Sequence, residues 1–187
     1  MIDENVPKVP PMRGVEIDEK ARVSAIQCFG HPQNLIQPYA LINFVESGGL
    51  RKCFGLEYGV KYLPSGEEAK FIPDQKLILF SEQMYSDLYE DMPRSRFTFA
   101  HELGHAILHG SVLQTALSGR TPCKTYKRST LRAFEDPEWQ ANRFAGAFLM
   151  PSPQLRQLLR EGKQVWQIAE YFRVSLSAAE TRINKLK

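Results

Sequence analysis

Residues 94–109 read RSRFTFAHELGHAILH, and this stretch decides what the rest of the chain is built around. A helix turns about 100° per residue, so His101 and His105, four apart, lie on one face and can point two imidazoles at a single ion. Glu102 is rotated about 100° from His101. It is poorly placed to be a third ligand from that backbone position but can reach a water molecule held at the same ion. Two ligands and one base on a helical spacing is the pattern of a metal-assisted hydrolase. Phe99, Ala100, Leu103, Ala106 and Ile107 gather on the other side of the wheel and are expected to bury this helix. Gly104 sits toward the ligand side. A mid-helix glycine costs about 1 kcal/mol against alanine, so another element is expected to approach closely there.

Catalytic zinc takes three protein ligands and leaves a fourth position open. His109, Glu135, Asp136 and Glu138 are the candidates for the third. His109 continues the same face by one more turn, but three ligands on consecutive turns of one straight helix diverge, and capping the helix end or edging the site suits it better. Asp136-Pro137 supplies an N-cap followed by proline in the first turn, so a helix is expected to run from there to Met150. Glu138 shares a face of that helix with Ala141, Ala145 and Leu149. An acidic residue on a face meant for burial needs a compensating partner, and a divalent cation is one. Glu138 is therefore the preferred third ligand. Zinc is the expected metal, with manganese as the alternative.

Around this centre the chain reads as mostly helical with a small sheet. Residues 1–13, with Pro7, Pro10 and Pro11, are expected to form a flexible or loosely docked arm. Helices are expected from about Val15 to Cys28 and from Pro38 to Glu46, the latter closed by Ser47-Gly48-Gly49. Residues 53–63, 69–73 and 76–80 read as strands, and a short helix follows from Ser81 to Tyr89. Gly110 to about Arg132 is polar and basic and reads as a long loop containing a short helical piece. Helices near 154–161, 163–172 and 176–186 close the chain. The last two, IAEYF-RVS-LSAAETRI, have the form of a helix-turn-helix, with Ser175 or Ser177 as N-cap and Ser177 and Glu180 spaced as a capping box. Their leading side chains are a poor set for reading bases, which argues against direct DNA binding and for helices packed on the rest of the fold.

Composition sets the outer bounds. The chain of 187 residues is 43% hydrophobic and 24% charged, ordinary for a globular protein with one sizeable core. A net charge of +3 is too small to argue for nucleic acid. The basic residues Arg120, Lys124, Lys127, Arg128 and Arg132 are read as a solvated loop face. No apolar run reaches the length of a membrane span, and residues 1–14 lack the apolar core of a signal peptide. Three cysteines, Cys28, Cys53 and Cys123, show no metal-binding spacing and fit a reducing compartment. A cytoplasmic enzyme is expected.

The stretch RSRFTFAHELGHAILH, followed by EWQANRFAGAFLMP at 138–151 and YFRVSLSAAETRI at 171–183, resembles the ImmA/IrrE family of metallopeptidases. The resemblance implies an α+β, mostly helical, zincin-like metallopeptidase domain with a small sheet. It is expected over 14–153, with a C-terminal helical segment at 154–187 packed against it. It implies His101, His105 and Glu138 as metal ligands, Glu102 as the catalytic carboxylate, and Asn142 as a hydrogen-bonding residue behind the ligands. It also implies a protein substrate, a helix-turn-helix repressor whose cleavage relieves repression. An oxyanion donor does not follow from the motif; Tyr126, Arg94 and His109 are the candidates. The competing expectation is a metal-containing DNA-binding or regulator-binding protein without proteolytic activity. An intact Glu102 favours the enzyme, since a structural site has no use for a base.

Overall fold

A computed structural model describes residues 5–7, 9–64, 66–117, 125–127 and 130–186, with backbone alone for 5–7, 116–117 and 125–127. The elements are β1 (Asn5–Pro7), α1 (Gly14–Phe29), α2 (Ala40–Glu46), α3 (Gly49–Phe54), β2 (Glu57–Val60), β3 (Ala69–Ile72), β4 (Leu77–Phe80) and α4 (Glu82–Tyr89). They continue with α5 (Pro93–Leu117), β5 (Thr125–Lys127), α6 (Pro137–Leu149), α7 (Ser152–Arg160), α8 (Val165–Phe172) and α9 (Leu176–Asn184). The architecture is α+β. Among the described residues no helix is long and apolar enough to cross a membrane.

The motif helix α5 runs through the middle. Its buried side chains Phe99, Ala100 and Leu103 meet Phe144, Ala145 and Phe148 of α6 in one apolar core, and α1 packs against the other side of α6. On its other flank lies a three-stranded sheet of order β2-β4-β3, in which β4 pairs parallel with β2 and antiparallel with β3. The central strand β4 buries Ile78, Leu79 and Phe80. This leaves β3 as the edge strand beside α5.

Gly104 has the expected reason to be glycine. A Cβ there would lie 3.1 Å from the Phe144 ring and 3.3 Å from the Ala141 Cα, so α5 and α6 touch backbone to backbone between the turns that carry His101, His105 and Glu138. Asp136 caps α6 by accepting the Glu138 N–H at 2.9 Å, with Pro137 in the first turn.

Three local expectations are corrected. First, α5 does not end at His109 but continues to Leu117. Gly110 lies within the helix against the Phe71 ring of β3, and Gln114 Nε2 anchors the extension by donating to the Pro73 carbonyl at 2.7 Å. Second, residues 49–54 form α3 where a strand was expected to begin at Cys53. Ser47 and Gly48 close α2 as expected, and Gly48, at φ 74°, is at once the N-cap of α3. Third, Ser175 caps α9 by accepting the Ala178 N–H at 3.2 Å; the box from Ser177 to Glu180 is not the cap.

The N-terminal arm is docked over its described part. β1 pairs antiparallel with β5, Val9 is buried, and the Met12 N–H donates to the Phe134 carbonyl at 3.0 Å. Cys28 and Cys53 are neighbours, with the Cys53 thiol 3.6 Å from the Gln27 carbonyl. Burial, with Cys53 beside it, pushes the Cys28 thiol up. Cys123 lies outside the described residues, as does most of the basic stretch at 120–132.

The C-terminal helices are fastened by two buried ion-pair networks. Arg182 of α9, 2% exposed, donates to Asp18 of α1 at 2.9 Å and to Ser152 at 2.8 Å. Arg173, left-handed at φ 55° in the α8–α9 turn, pairs with Asp91 at 2.6 Å. Asp91 in turn holds Arg96, fully buried in α5, at 2.6 Å. The turn of the helix-turn-helix is thus itself a docking contact.

Candidate metal centre

Helical spacing brings His101 and His105 together, their Nε2 atoms 3.0 Å apart. The first turn of α6 carries Glu138 across to them: its carboxylate oxygens lie 3.3 Å from His101 Nε2 and 3.1 Å from His105 Nε2. Among the described residues, these three side chains can offer one ligand atom each within 4.8 Å of one another. Tetrahedral ligands about 2.0–2.1 Å from a zinc ion are spaced by roughly 3.3 Å. The donor set therefore fits a divalent cation in both chemistry and spacing. Glu138 is held far below the usual carboxylate range by its hydrogen bonds to His101 and then His105. It stands ionised, as a ligand must.

The protonation of His105 follows from its neighbours. Gln140 donates both hydrogens of its Nε2, to the carbonyls of Phe134 at 2.8 Å and Pro10 at 3.0 Å. Its Oε1 is left to accept, and His109 Nε2 lies 3.1 Å from it, so that nitrogen carries the proton. Burial, and then the neighbouring His105, lower the His109 pKa to about 4; the ring is neutral and its Nδ1 accepts. His105 Nδ1 sits 3.2 Å from that acceptor and must donate. The lone pair of His105 is thereby placed on Nε2, facing His101 and Glu138. A second partner of this kind fixes the orientation and tautomer of a metal-binding imidazole.

His109 thus stands behind the centre, 0% exposed, with both ring nitrogens engaged. It has no N–H to offer an oxyanion, which corrects that expectation. Arg94 is two turns ahead of His101 on α5 and pairs with Glu68 at 2.6 Å, its side chain 82% exposed, so it too is removed from the centre. The Tyr126 side chain lies outside the described residues. Asn142 lies one turn beyond Glu138 on α6 and contributes to raising the His101 pKa. Burial lowers the His101 pKa, but Glu138, the charge of Glu102 and Asn142 together outweigh it. Glu135 and Asp136 precede the α6 helix and take no part in the cluster. Gln140 is the functional residue that the sequence reading missed.

Glu102 stands apart from the ligand set. It is 8% exposed, and burial raises its pKa, opposed by the charges of His105 and His101 and by the backbone of Phe71 on β3. A carboxylate pushed up by burial beside a cation site is poised to take and return a proton.

The profile of the IrrE N-terminal-like domain matches residues 82–184, from the start of α4 through α9. The chain belongs to the ImmA/IrrE family. The radiation response metalloprotease IrrE of Deinococcus radiodurans is 30% identical over 130 residues, which cover 64% of this chain and 34% of that protein. A transcriptional regulator of Mycobacterium tuberculosis shares the fold, with a TM-score of 0.57 at 19% identity over 90% of this chain and 46% of its own. This ImmA/IrrE chain therefore spans about a third of the one relative and less than half of the other.

Proposed function

We propose that this ImmA/IrrE chain is a zinc-dependent endopeptidase, with manganese as an alternative metal, acting in the cytoplasm on a helix-turn-helix transcriptional repressor. The observation that carries the reading is the division of labour among four side chains: His101, His105 and Glu138 converge on one point, while Glu102 lies beside them, buried and uncommitted. A structural site would use its fourth position for a ligand, not a base.

His101, His105 and Glu138 would hold the ion, which supplies Lewis-acid chemistry: it lowers the pKa of water toward about 7 and polarises a carbonyl. The Glu102 carboxylate takes a proton from the attacking water as its oxygen bonds to the scissile carbonyl carbon. It returns that proton to the leaving nitrogen as the C–N bond breaks. His109 and Gln140 keep His105 in the ligating tautomer throughout. β3 is the edge of the sheet nearest the centre, so an extended substrate segment can pair with it as a further strand.

The repressor as substrate is supported by family membership and by a relative named as a radiation response metalloprotease. The competing reading is a metal-containing protein that binds DNA or a regulator without cleaving it. Its weak point is α9, whose Ser177, Ala178 and Thr181 face a cavity beside the metal centre. The test is capture by a Glu102→Ala variant, followed by incubation of the captured protein with the zinc-loaded wild type. A single chelator-sensitive cut in a repressor supports the proposal. Specific DNA binding without cleavage favours the alternative, and indiscriminate digestion of unfolded proteins contradicts repressor specificity.

A further inference from the structure

A cavity of about 730 Å³ lies between α5, α6 and α9. At its near end is Asn142, one helical turn beyond Glu138 on α6; Phe97 and Trp139 line its apolar wall; at its far end is Lys185, just past α9. The far end is rich in positive charge. Asp18 is a single carboxylate shared by two guanidinium groups: Arg143 at 3.0 Å and Arg182 at 2.9 Å. Lys185, half-buried beside both arginines, makes no ion pair or hydrogen bond through its side chain among the described residues. The two acidic residues lining the cavity are engaged elsewhere, Glu68 with Arg94 and Thr98, and Asp136 with the Glu138 N–H. Burial, and then Arg143 and Arg182, lower the Lys185 pKa, and the shared charge of Asp18 offsets this only in part.

We propose that this cavity is a specificity subsite in which Lys185 receives an acidic side chain of the peptide substrate, three or four residues from the scissile bond. The proposal rests on the endopeptidase reading of the metal centre. Its spacing comes from α6. Gly146, against which the Arg182 side chain packs at 3.6 Å from the position a Cβ would take, lies about 12 Å along the helix from Glu138 at 1.5 Å per residue. An extended peptide covers that distance in roughly three to four residues at about 3.3 Å each. An aspartate or glutamate arriving there supplies the missing counter-charge, while Phe97 and Trp139 accept the apolar side chains between. The helix-turn-helix geometry of α8 and α9 is thereby used to build a wall of the substrate cleft.

The experiment uses the zinc-loaded chain and quenched fluorogenic peptides that share one cleaved core selected from a random library. Each carries a single Asp or Asn at one of the positions out to five residues on either side of the cut. Asp should exceed Asn in kcat/KM by about tenfold, as for a hydrogen bond between charged partners, at one position three or four residues from the cut. Lys185→Ala should bring that ratio to about one while the Asn peptides are cleaved as before and the Tm is kept; Lys185→Arg should retain the preference. Cleavage without any Asp preference, or a preference that survives in Lys185→Ala, overturns the proposal and leaves the endopeptidase reading standing. If the wild type cleaves no peptide, the endopeptidase reading fails, and anisotropy with fluorescein-labelled Asp and Asn peptides decides the subsite. Tighter binding of the Asp peptide that depends on Lys185 supports it, and equal binding overturns it.

Discussion

Gln140 fixes the tautomer of His109. Its amide nitrogen is committed to two backbone carbonyls, Pro10 and Phe134, so its oxygen must accept from the imidazole 3.1 Å away. Through His109 this choice reaches His105, whose other ring nitrogen faces the metal centre. Gln140→Leu removes the acceptor and frees His109 to take either tautomer. Zinc affinity, measured by competition with a chelator, should fall about tenfold or more, while Asp136→Ala, which removes the α6 helix cap, should change it less.

Close approach of α5 and α6 is the second dependency. Gly104→Val places two methyl groups against the Phe144 ring and the Ala141 backbone, the latter unable to yield. Thermal unfolding should show a loss of about 1–3 kcal/mol, as for overpacking elsewhere. Because α6 carries Glu138 and α5 the histidines, zinc affinity should fall in the same variant.

The HELGH motif and the face of Glu138 are legible in the sequence because both depend on helical spacing and a cap, which are local. The path from His105 to Gln140 is not, since it joins two helices and is completed by carbonyls of Pro10 and Phe134 that only the folded chain brings near. Gly110 misleads for the same reason: it reads as a helix end, yet α5 runs on past it to where Gln114 bonds the distant Pro73 carbonyl. Lys185 is also silent in sequence, because its having no side-chain partner among the described residues depends on how Asp18 is shared between Arg143 and Arg182.

His109 predicts a pH dependence. Its pKa is lowered from 6.5 to about 4 in the fold, so between those values the unfolded chain binds a proton that the folded chain refuses. Stability of the metal-free protein should therefore fall as pH drops from 6.5 toward 4 and receive no further contribution from this group below that. The full effect is about 3 kcal/mol by linkage. His109→Gln should flatten this part of the stability–pH curve relative to wild type; parallel curves would mean that His109 titrates alike in the folded and unfolded chain.

Asp91 joins two arginines from different parts of the chain. It is 1% exposed, with Arg96 at 0%, and Asp91→Ala would strand the buried guanidinium and release Arg173 at the α8–α9 turn. A loss of about 3–5 kcal/mol is expected on breaking such a pair. Amide exchange should report faster opening in α8 and α9 than in α1.

Glu102→Gln puts the proposed chemistry to its most direct trial, because it keeps the size of the side chain and removes only its ability to carry a proton. Zinc content by mass spectrometry and cleavage of the captured repressor are measured on the same preparations. The variant should hold as much zinc as the wild type and cleave about a thousandfold more slowly, the range for loss of a general acid–base group. Loss of zinc from the variant would make Glu102 a ligand, and undiminished cleavage would remove it from the reaction; either result contradicts the assignment of His101, His105 and Glu138 as the metal site and Glu102 as its base.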